Sequence, residues 1–154
     1  MKALSLLQPW ASLVTIGAKK IETRSWQTRY RGPLAIHAAK NFPREARQLC
    51  LEEPFLTALT SAGLQGTNEL PCGAVVATCN LVDCLEIGAE YMSKWGSEIE
   101  YPLPTGNELT FGDYTPGRFA WILRDIKQLS EPIPARGQQG LWNWEVPEGV
   151  FDNG

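Results

Sequence analysis

The sequence predicts one domain of the α+β class, mainly β: a small mixed β-barrel with short helices at its side. Segments with strand patterns recur along the chain and cluster around one helical stretch. No internal repeat, low-complexity tract or linker divides them. A chain of 154 residues with 44% hydrophobic and 20% charged residues also fits one globular domain that builds its own core. The domain is therefore predicted to span residues 1–154.

The first half of the chain is predicted to alternate short strands with short helices. Residues 2–7 form an apolar strand pattern, and Pro9 suits the first turn of a helix that ends at Gly17. Residues 20–26 and 34–39 alternate in polarity, which is typical of strands with one buried face. Two helices are predicted between residues 41 and 63.

The second half is predicted to be mostly β. Residues 73–85 carry the longest strand pattern, with several β-branched side chains. Residues 92–117 are rich in glycine and proline, so we expect an extended surface excursion there. Residues 118–126 and 141–146 predict two further strands.

The distribution of charge along the chain and the net charge of the chain point to different kinds of ligand. A net charge of −3 taken alone argues against a nucleic-acid partner, but residues 17–47 carry +6 and the remainder −9. This asymmetry predicts one electropositive face that attracts a phosphate-bearing ligand. The alternative is an ordinary solvated surface.

Several classes of function have no support in the sequence. The four cysteines match neither zinc-site nor redox spacing, so we expect buried thiols, no metal and no cofactor. The apolar residues 3–7 are interrupted by Gln8 and Pro9, which argues against a signal peptide. No apolar run approaches the ~18 residues of a membrane helix. We therefore expect a cytoplasmic protein that does not contact a membrane.

Lys19, Glu22 and Arg24 fall within six residues at a predicted helix-to-strand junction. Arg24 offers a planar fork of donors for a phosphate or a base edge, and Lys19 offers a compact positive charge. Glu22, on the same strand face as Arg24, can orient that fork or accept a proton. The alternative is a surface ion pair worth under ~1 kcal/mol.

Motifs that carry these residues resemble the ASCH domain family over nearly the whole chain. The matching stretches are Leu4-Ser5-Leu6, Gln8-Pro9-Trp10-Ala11-Ser12-Leu13, Gly17-x-Lys19-x-x-Glu22-x-Arg24-Ser25-Trp26, Arg31-Gly32, Pro71-Cys72-Gly73, Leu81-Val82-Asp83-Cys84, Arg118-Phe119-Ala120-Trp121 and Gly137-x-x-Gly140-Leu141-Trp142. The resemblance implies a PUA-like β-barrel whose signature residues line a cleft beside the first helix. It also implies binding of RNA, single-stranded nucleic acid or a modified nucleotide.

The predicted ligand-binding residues combine the resemblance with the basic segment. The family's cleft-lining signature matches Gln8, Trp10, Lys19, Glu22, Arg24 and Trp26. Arg31 and Lys40 are expected to extend the basic surface along several phosphates. Gln138 and Gln139, in a glycine-flanked turn, either reach a base edge or form a plain turn.

Two alternatives to a binding module stay open. One branch of the family hydrolyses N4-acylated cytidines and another has been described as a ribonuclease, so Lys19 and Glu22 are candidate catalytic residues. The amidohydrolase branch has a threonine where this chain has Glu22. His37, the only histidine, is a candidate general acid or else a hydrogen-bonded, half-buried side chain. The second alternative is a protein-interaction module that docks through residues 92–117.

Overall fold

The computed structural model describes residues 1–151, and its sheet confirms the predicted mainly β class with a few short helices. In chain order the elements are β1 Lys2–Leu6, α1 Trp10–Thr15, β2 Ile21–Arg24, β3 Gly32–Ala38, α2 Arg44–Leu49, α3 Phe55–Ser61, a 3-10 turn Thr67–Glu69, β4 Ala74–Ile87, β5 Tyr91–Ser93, β6 Glu100–Pro102, α4 Gly106–Thr110, β7 Phe119–Pro134 and β8 Leu141–Asn143. None of the helices described is long and apolar enough to cross a membrane.

The eight strands found within residues 1–151 belong to one sheet. Its main path runs β2-β7-β4-β3-β1-β8, and β5 and β6 extend from β4. Strands β1 and β3 pair in parallel, and the other pairs are antiparallel. The long β4–β7 pairing shifts register at three places. Because each bulge bends its strand and increases the twist, the sheet curls into a half-barrel.

The main core fills the inside of this half-barrel. Alternate side chains of the strands point inward, including Leu4, Ile36, Leu81 and Leu123, which are at most 1% exposed. A second cluster lies between α1 and the helices α2 and α3, where Leu13, Phe55, Phe111 and other apolar side chains pack. Helix α1 therefore joins the barrel to its helical side, next to the end of β2.

The expectation that residues 92–117 form an extended surface excursion is wrong in part, because most of the segment is exposed but Met92 and Phe111 are buried. This segment contains β5, β6 and α4, and it folds back against the barrel. Phe111 is 1% exposed and packs on Phe55, with ring centroids 5.0 Å apart. The Glu108 carboxylate accepts hydrogen bonds from the backbone N–H groups of Lys20 and Ile21. Glycine and proline content indicated irregular backbone correctly, but it gave no information on the apolar side chains that anchor the segment, among them Met92 and Phe111.

The cysteines are all free thiols, and three of them are buried. Burial raises the pKa of Cys79 to about 12. Cys72 is exposed, so the expectation of four buried thiols is wrong at that position. It follows Pro71 in the segment that leads into β4, where the chain lies at the surface.

Candidate functional site

A cleft of about 690 Å³ opens beside the first helix, between the end of β2 and the helical side of the domain. Its size is within the range of small-molecule sites. Its lining side chains come from five parts of the chain: Ser5 and Leu7, Trp10, residues 22–26, Leu49 to Phe55, and residues 110–118.

Three charged side chains meet at the floor of this cleft. Nζ of Lys19 lies 3.5 Å from Oε1 of Glu22, and Nη2 of Arg24 lies 3.2 Å from Oε2 of the same carboxylate. The Lys19 ammonium also donates to the carbonyl oxygen of Ile21. The two cations thus converge on one carboxylate, and the group carries a net charge of +1 in its ionised form.

The local backbone explains why Lys19 points inward. Gly17, with φ +80°, adopts the left-handed conformation at the end of α1 that favours glycine. The carbonyl oxygen of Leu13 then accepts the N–H groups of both Ala18 and Lys19. The chain turns tightly into β2, and the Lys19 side chain is left 0% exposed beneath the strand.

Arg24 presents its guanidinium between the floor and the solvent, with the side chain 25% exposed. Besides Glu22, its Nη2 donates to the carbonyl oxygen of Ser5 over 2.6 Å. Within residues 1–151, its Nη1 makes no hydrogen bond, and its buried Nε has no partner. The fork is therefore fixed by one amino group, and the other remains available to a molecule in the cleft.

Two tryptophans border the floor, and each is held edge-on by another ring. Trp10 packs against Phe55 with ring centroids 6.2 Å apart, and Trp26 packs against Trp121 at 4.7 Å. The Trp121 indole also donates to the carbonyl oxygen of Trp26. Both cleft tryptophans are partly exposed, so the cleft has rigid aromatic walls.

The expectation of a basic cleft is wrong for the lining as a whole. Two guanidiniums, those of Arg24 and Arg118, face four carboxylates, which belong to Glu22, Glu52, Glu53 and Asp113. Of the eight cations in residues 17–47, only Arg24 is among the lining residues. Net segment charge failed as a guide because the barrel distributes these cations over different surfaces. The floor is positive, but the rim formed by Glu52 and Glu53 is acidic.

Four of the predicted ligand-binding residues lie outside the cleft lining. Gln8 is 0% exposed: its side-chain amide donates to the carbonyl oxygen of Pro71 and accepts from the N–H of Ser12. Lys19 lies beneath the floor. Arg31 faces the β4 side of the barrel, where its Nη2 lies 3.4 Å from Oδ1 of Asp83. Lys40 lines a different hollow.

His37 lies on β3, which pairs with β1 and β4 and not with β2, so it is not on the strand next to Arg24. The imidazole is 1% exposed, and both ring nitrogens are engaged. Nε2 lies 2.7 Å from the carbonyl oxygen of Ala135, which can only accept, so Nε2 carries the proton. Nδ1 lies 2.9 Å from Oγ of Ser5. In this arrangement neither nitrogen is free to act as a general acid on a ligand.

Several cleft residues were not identified from the sequence. Arg118 lies against Thr23, to whose carbonyl oxygen its Nη2 donates, and 3.5 Å from Oδ2 of Asp113. Hydrogen bonds from the Thr115 hydroxyl and backbone N–H, with the Arg118 guanidinium, hold the pKa of Asp113 below its usual value. Oγ1 of Thr23 accepts from the Asp113 N–H. The Arg-Phe-Ala-Trp motif was the one signal that pointed to Arg118.

Metal-binding geometry is not found among the described residues, where no three His, Cys, Asp or Glu side chains cluster.

Tyr114, behind the cleft floor, has a buried hydroxyl without a hydrogen-bond partner in residues 1–151. Its burial, with the nearby carboxylates of Glu108 and Glu22, raises the pKa of Tyr114.

Comparison with known proteins gives a consistent family. The family model for the ASCH domain matches residues 4–133. Human and mouse activating signal cointegrator 1 are 28% and 27% identical to the chain over 141 residues, covering 90% of it. That alignment covers 21% of each relative, so the chain spans about a fifth of their length. A crystal structure of a ZmASCH mutant from Zymomonas mobilis matches with a TM-score of 0.51 at 16% identity, covering 94% of this chain and 89% of that one, which shows a common fold.

Proposed function

The chain belongs to the ASCH domain family, and from this membership and the cleft geometry we propose that it binds RNA, single-stranded nucleic acid or a modified nucleotide through one base held in the cleft. The observation that carries the proposal is the arrangement around Glu22. Lys19 and Arg24 occupy opposite oxygens of its carboxylate, and Nη1 of Arg24, a residue that lines the cleft, makes no hydrogen bond within residues 1–151. An oriented guanidinium donor beside aromatic walls matches the acceptor edge and the flat face of a nucleobase.

The charges of the cleft favour a base over a phosphate as the group that enters it. The floor is positive by one charge, whereas Glu52 and Glu53 at the rim repel an anion. A neutral base avoids this repulsion, and its exocyclic amine can donate to the Glu22 carboxylate. The phosphates then lie outside the cleft, away from α3.

Hydrolysis of the same ligand class is the alternative, and one observation favours it. The Glu22 carboxylate lines the cleft beside a buried lysine, which suits general acid–base chemistry. Against it, the Lys19 ammonium is enclosed by Glu22 and Ile21 and has no exposure to a substrate. A protein-interaction role has less support, because residues 106–113 pack against the barrel and the cleft.

The test is a titration of the chain with cytidine 5′-monophosphate and with a mixed-sequence RNA octamer, at 50 and 300 mM salt. We expect Arg24→Gln to weaken both affinities by at least about tenfold, since a hydrogen bond from a charged donor is worth about 1.5–3 kcal/mol. Arg124→Gln, at an exposed position on β7 outside the cleft, is the matched control and should bind like the wild type. If neither probe binds to the wild type at 50 mM salt, the proposal is refuted.

The same preparation decides the hydrolase alternative. N4-acetylcytidine and end-labelled RNA are incubated with the wild type, Glu22→Gln and Lys19→Met. Turnover by the wild type that is lost in Glu22→Gln supports catalysis at this cleft. Equal turnover by all three proteins indicates a contaminating enzyme.

A further inference from the structure

A second hollow, which we call the basic hollow, lies on the other side of Ser5 from the cleft. It measures about 1100 Å³, and its cations are Lys40 and Arg136, both exposed. Among residues 1–151, its lining includes no aspartate or glutamate, in contrast to the cleft rim. The remaining polar side chains there are Ser5, His37, Cys72, Gln138 and Gln139.

Ser5 lines both the cleft and the basic hollow. Its carbonyl oxygen accepts the Nη2 donor of Arg24 on the cleft side, and its hydroxyl contacts Nδ1 of His37 on the side of the hollow. Because Nε2 of His37 carries the proton, Nδ1 accepts from the Ser5 hydroxyl. The same hydroxyl oxygen accepts from the Trp142 indole over 3.2 Å. A single residue of β1 thus connects the two surfaces.

The wall of the basic hollow is a fixed segment rather than a free loop. The N–H of Ala135 donates to the carbonyl oxygen of Gly73, and the carbonyl oxygen of Ala135 accepts from His37. Gly137 packs so closely that an added Cβ would lie 2.6 Å from Cε1 of His37 and 2.8 Å from Oγ of Ser5. Arg136, between these two anchored residues, is therefore presented on a rigid backbone.

Lys40 also lines the basic hollow. Its Cβ and Cγ lie over Gly73, at 3.8 and 3.9 Å from the position that a Cβ would occupy there. This contact supports the aliphatic stem and leaves the ammonium in solvent. One cation on an anchored backbone and one with a supported side-chain stem thus border a concave surface, and no carboxylate of residues 1–151 lines it.

We propose that the basic hollow holds the sugar–phosphate backbone of the nucleotides that flank the base in the cleft, so that the ligand is a single-stranded polynucleotide and not a free nucleotide. The inference rests on the proposed function of the cleft. The acidic rim turns phosphates away from Glu52 and Glu53, and the hollow that holds Lys40 and Arg136 adjoins the cleft at Ser5, which lines both. The amides of Gln138 and Gln139 offer further donors to phosphate or sugar oxygens.

The test compares a short and a long probe on one double variant. Cytidine 5′-monophosphate is long enough to occupy only the cleft, whereas a mixed-sequence RNA octamer can occupy both the cleft and the basic hollow. We expect Lys40→Ala/Arg136→Ala to leave mononucleotide affinity unchanged and to weaken octamer binding about tenfold at 50 mM salt. The slope of log K against log salt for the octamer should fall by about 1.4, since each phosphate contact on a single strand contributes about 0.7.

The double variant Arg124→Ala/Lys127→Ala is the matched control, because it removes one exposed arginine and one exposed lysine that line neither surface. It should bind both probes as the wild type does. A DNA octamer of the same sequence tells whether sugar contacts contribute. Suppose that Lys40→Ala/Arg136→Ala binds the octamer with wild-type affinity and salt slope and also binds the mononucleotide normally. That result would overturn this inference and leave the cleft proposal standing. Failure of both probes to bind the wild type would overturn both.

Discussion

The guanidinium of Arg24 lies 3.2 Å from Oε2 of Glu22, and the ammonium of Lys19 lies 3.5 Å from the other oxygen of the same carboxylate. Glu22 has a side chain 11% exposed, so an unpaired charge there would be costly. Lys19, which is 0% exposed, contributes to the cleft by fixing the carboxylate and has no surface of its own for a ligand. It acts as a positioning residue.

Lys19→Met tests this structural role. The methionine keeps most of the volume but removes the ammonium, which leaves Glu22 paired with Arg24 alone. We expect the free energy of unfolding to fall by about 3 kcal/mol, as for other buried ion pairs that lose one partner. Urea denaturation measures it. Lys20→Met, at the exposed neighbouring position, should change stability by less than about 0.5 kcal/mol. A Lys19→Met protein as stable as the wild type would contradict the view that the ammonium stabilises the floor.

A second prediction concerns alkaline pH and Cys79. Burial raises the pKa of this thiol to about 12 in the folded chain, against an ordinary value of 9.0. Between these two pH values the unfolded chain loses the proton and the folded chain keeps it, so stability falls as pH rises. The slope is up to about 1.4 kcal/mol per pH unit for one thiol. Below pH 9 the contribution is constant.

Cys79→Ala should therefore flatten the loss of stability between pH 9 and 11, whatever its effect on stability at pH 7. Urea denaturation at pH 7, 9, 10 and 11 measures the slope. Cys72→Ala, which removes the exposed thiol, should change the slope less. Identical alkaline slopes for the wild type and Cys79→Ala would show that the thiol ionises without regard to folding.

Strand patterns and short motifs predicted most of the fold and the centre of the site. The alternation in residues 20–26 placed Glu22 and Arg24 on one strand face, and the structure brings both to the cleft. Charge counting predicted the cleft lining poorly, because it cannot tell that Arg31 pairs with Asp83 while Glu52 and Glu53 reach the rim. Those placements depend on which surfaces α3 and β4 cover, and no local pattern encodes them.

Glu108 is expected to hold one wall of the cleft in place. Its carboxylate accepts backbone N–H groups of Lys20 and Ile21 at 3.0 and 2.9 Å, which ties α4 to the start of β2. Glu108→Ala removes this contact, and we expect faster amide hydrogen exchange at Ile21 and in residues 106–113, with a loss of about 1 kcal/mol in unfolding free energy. Glu98→Ala, an exposed acidic residue without such contacts in the described chain, is the control. Equal exchange in both variants would contradict the assignment.

Gly137→Ala tests the close packing of the basic hollow's wall. The added methyl group meets the His37 ring and the Ser5 hydroxyl at under 3 Å, so the segment must move. We expect a loss of about 1–3 kcal/mol in stability, as for other overpacked sites. Gly66→Ala has open space and no positive φ, so it should be nearly neutral. If Gly137→Ala folds as stably as Gly66→Ala, the wall is not held as described.

The acidic rim gives the last prediction, in which removing charge strengthens binding. Glu52 and Glu53 are exposed and border a cleft whose proposed ligand carries phosphates just outside it. Glu52→Gln/Glu53→Gln removes that repulsion, so cytidine 5′-monophosphate should bind about two- to threefold more tightly at 50 mM salt. At 500 mM salt the difference should disappear, because screening shortens the range of exposed charges to a few ångströms. Glu98→Gln/Glu100→Gln, an exposed pair outside the cleft, is the control. Because these substitutions change only charge at solvent-exposed positions, an unchanged or weaker affinity at low salt would show that Glu52 and Glu53 do not repel the phosphate of the bound nucleotide.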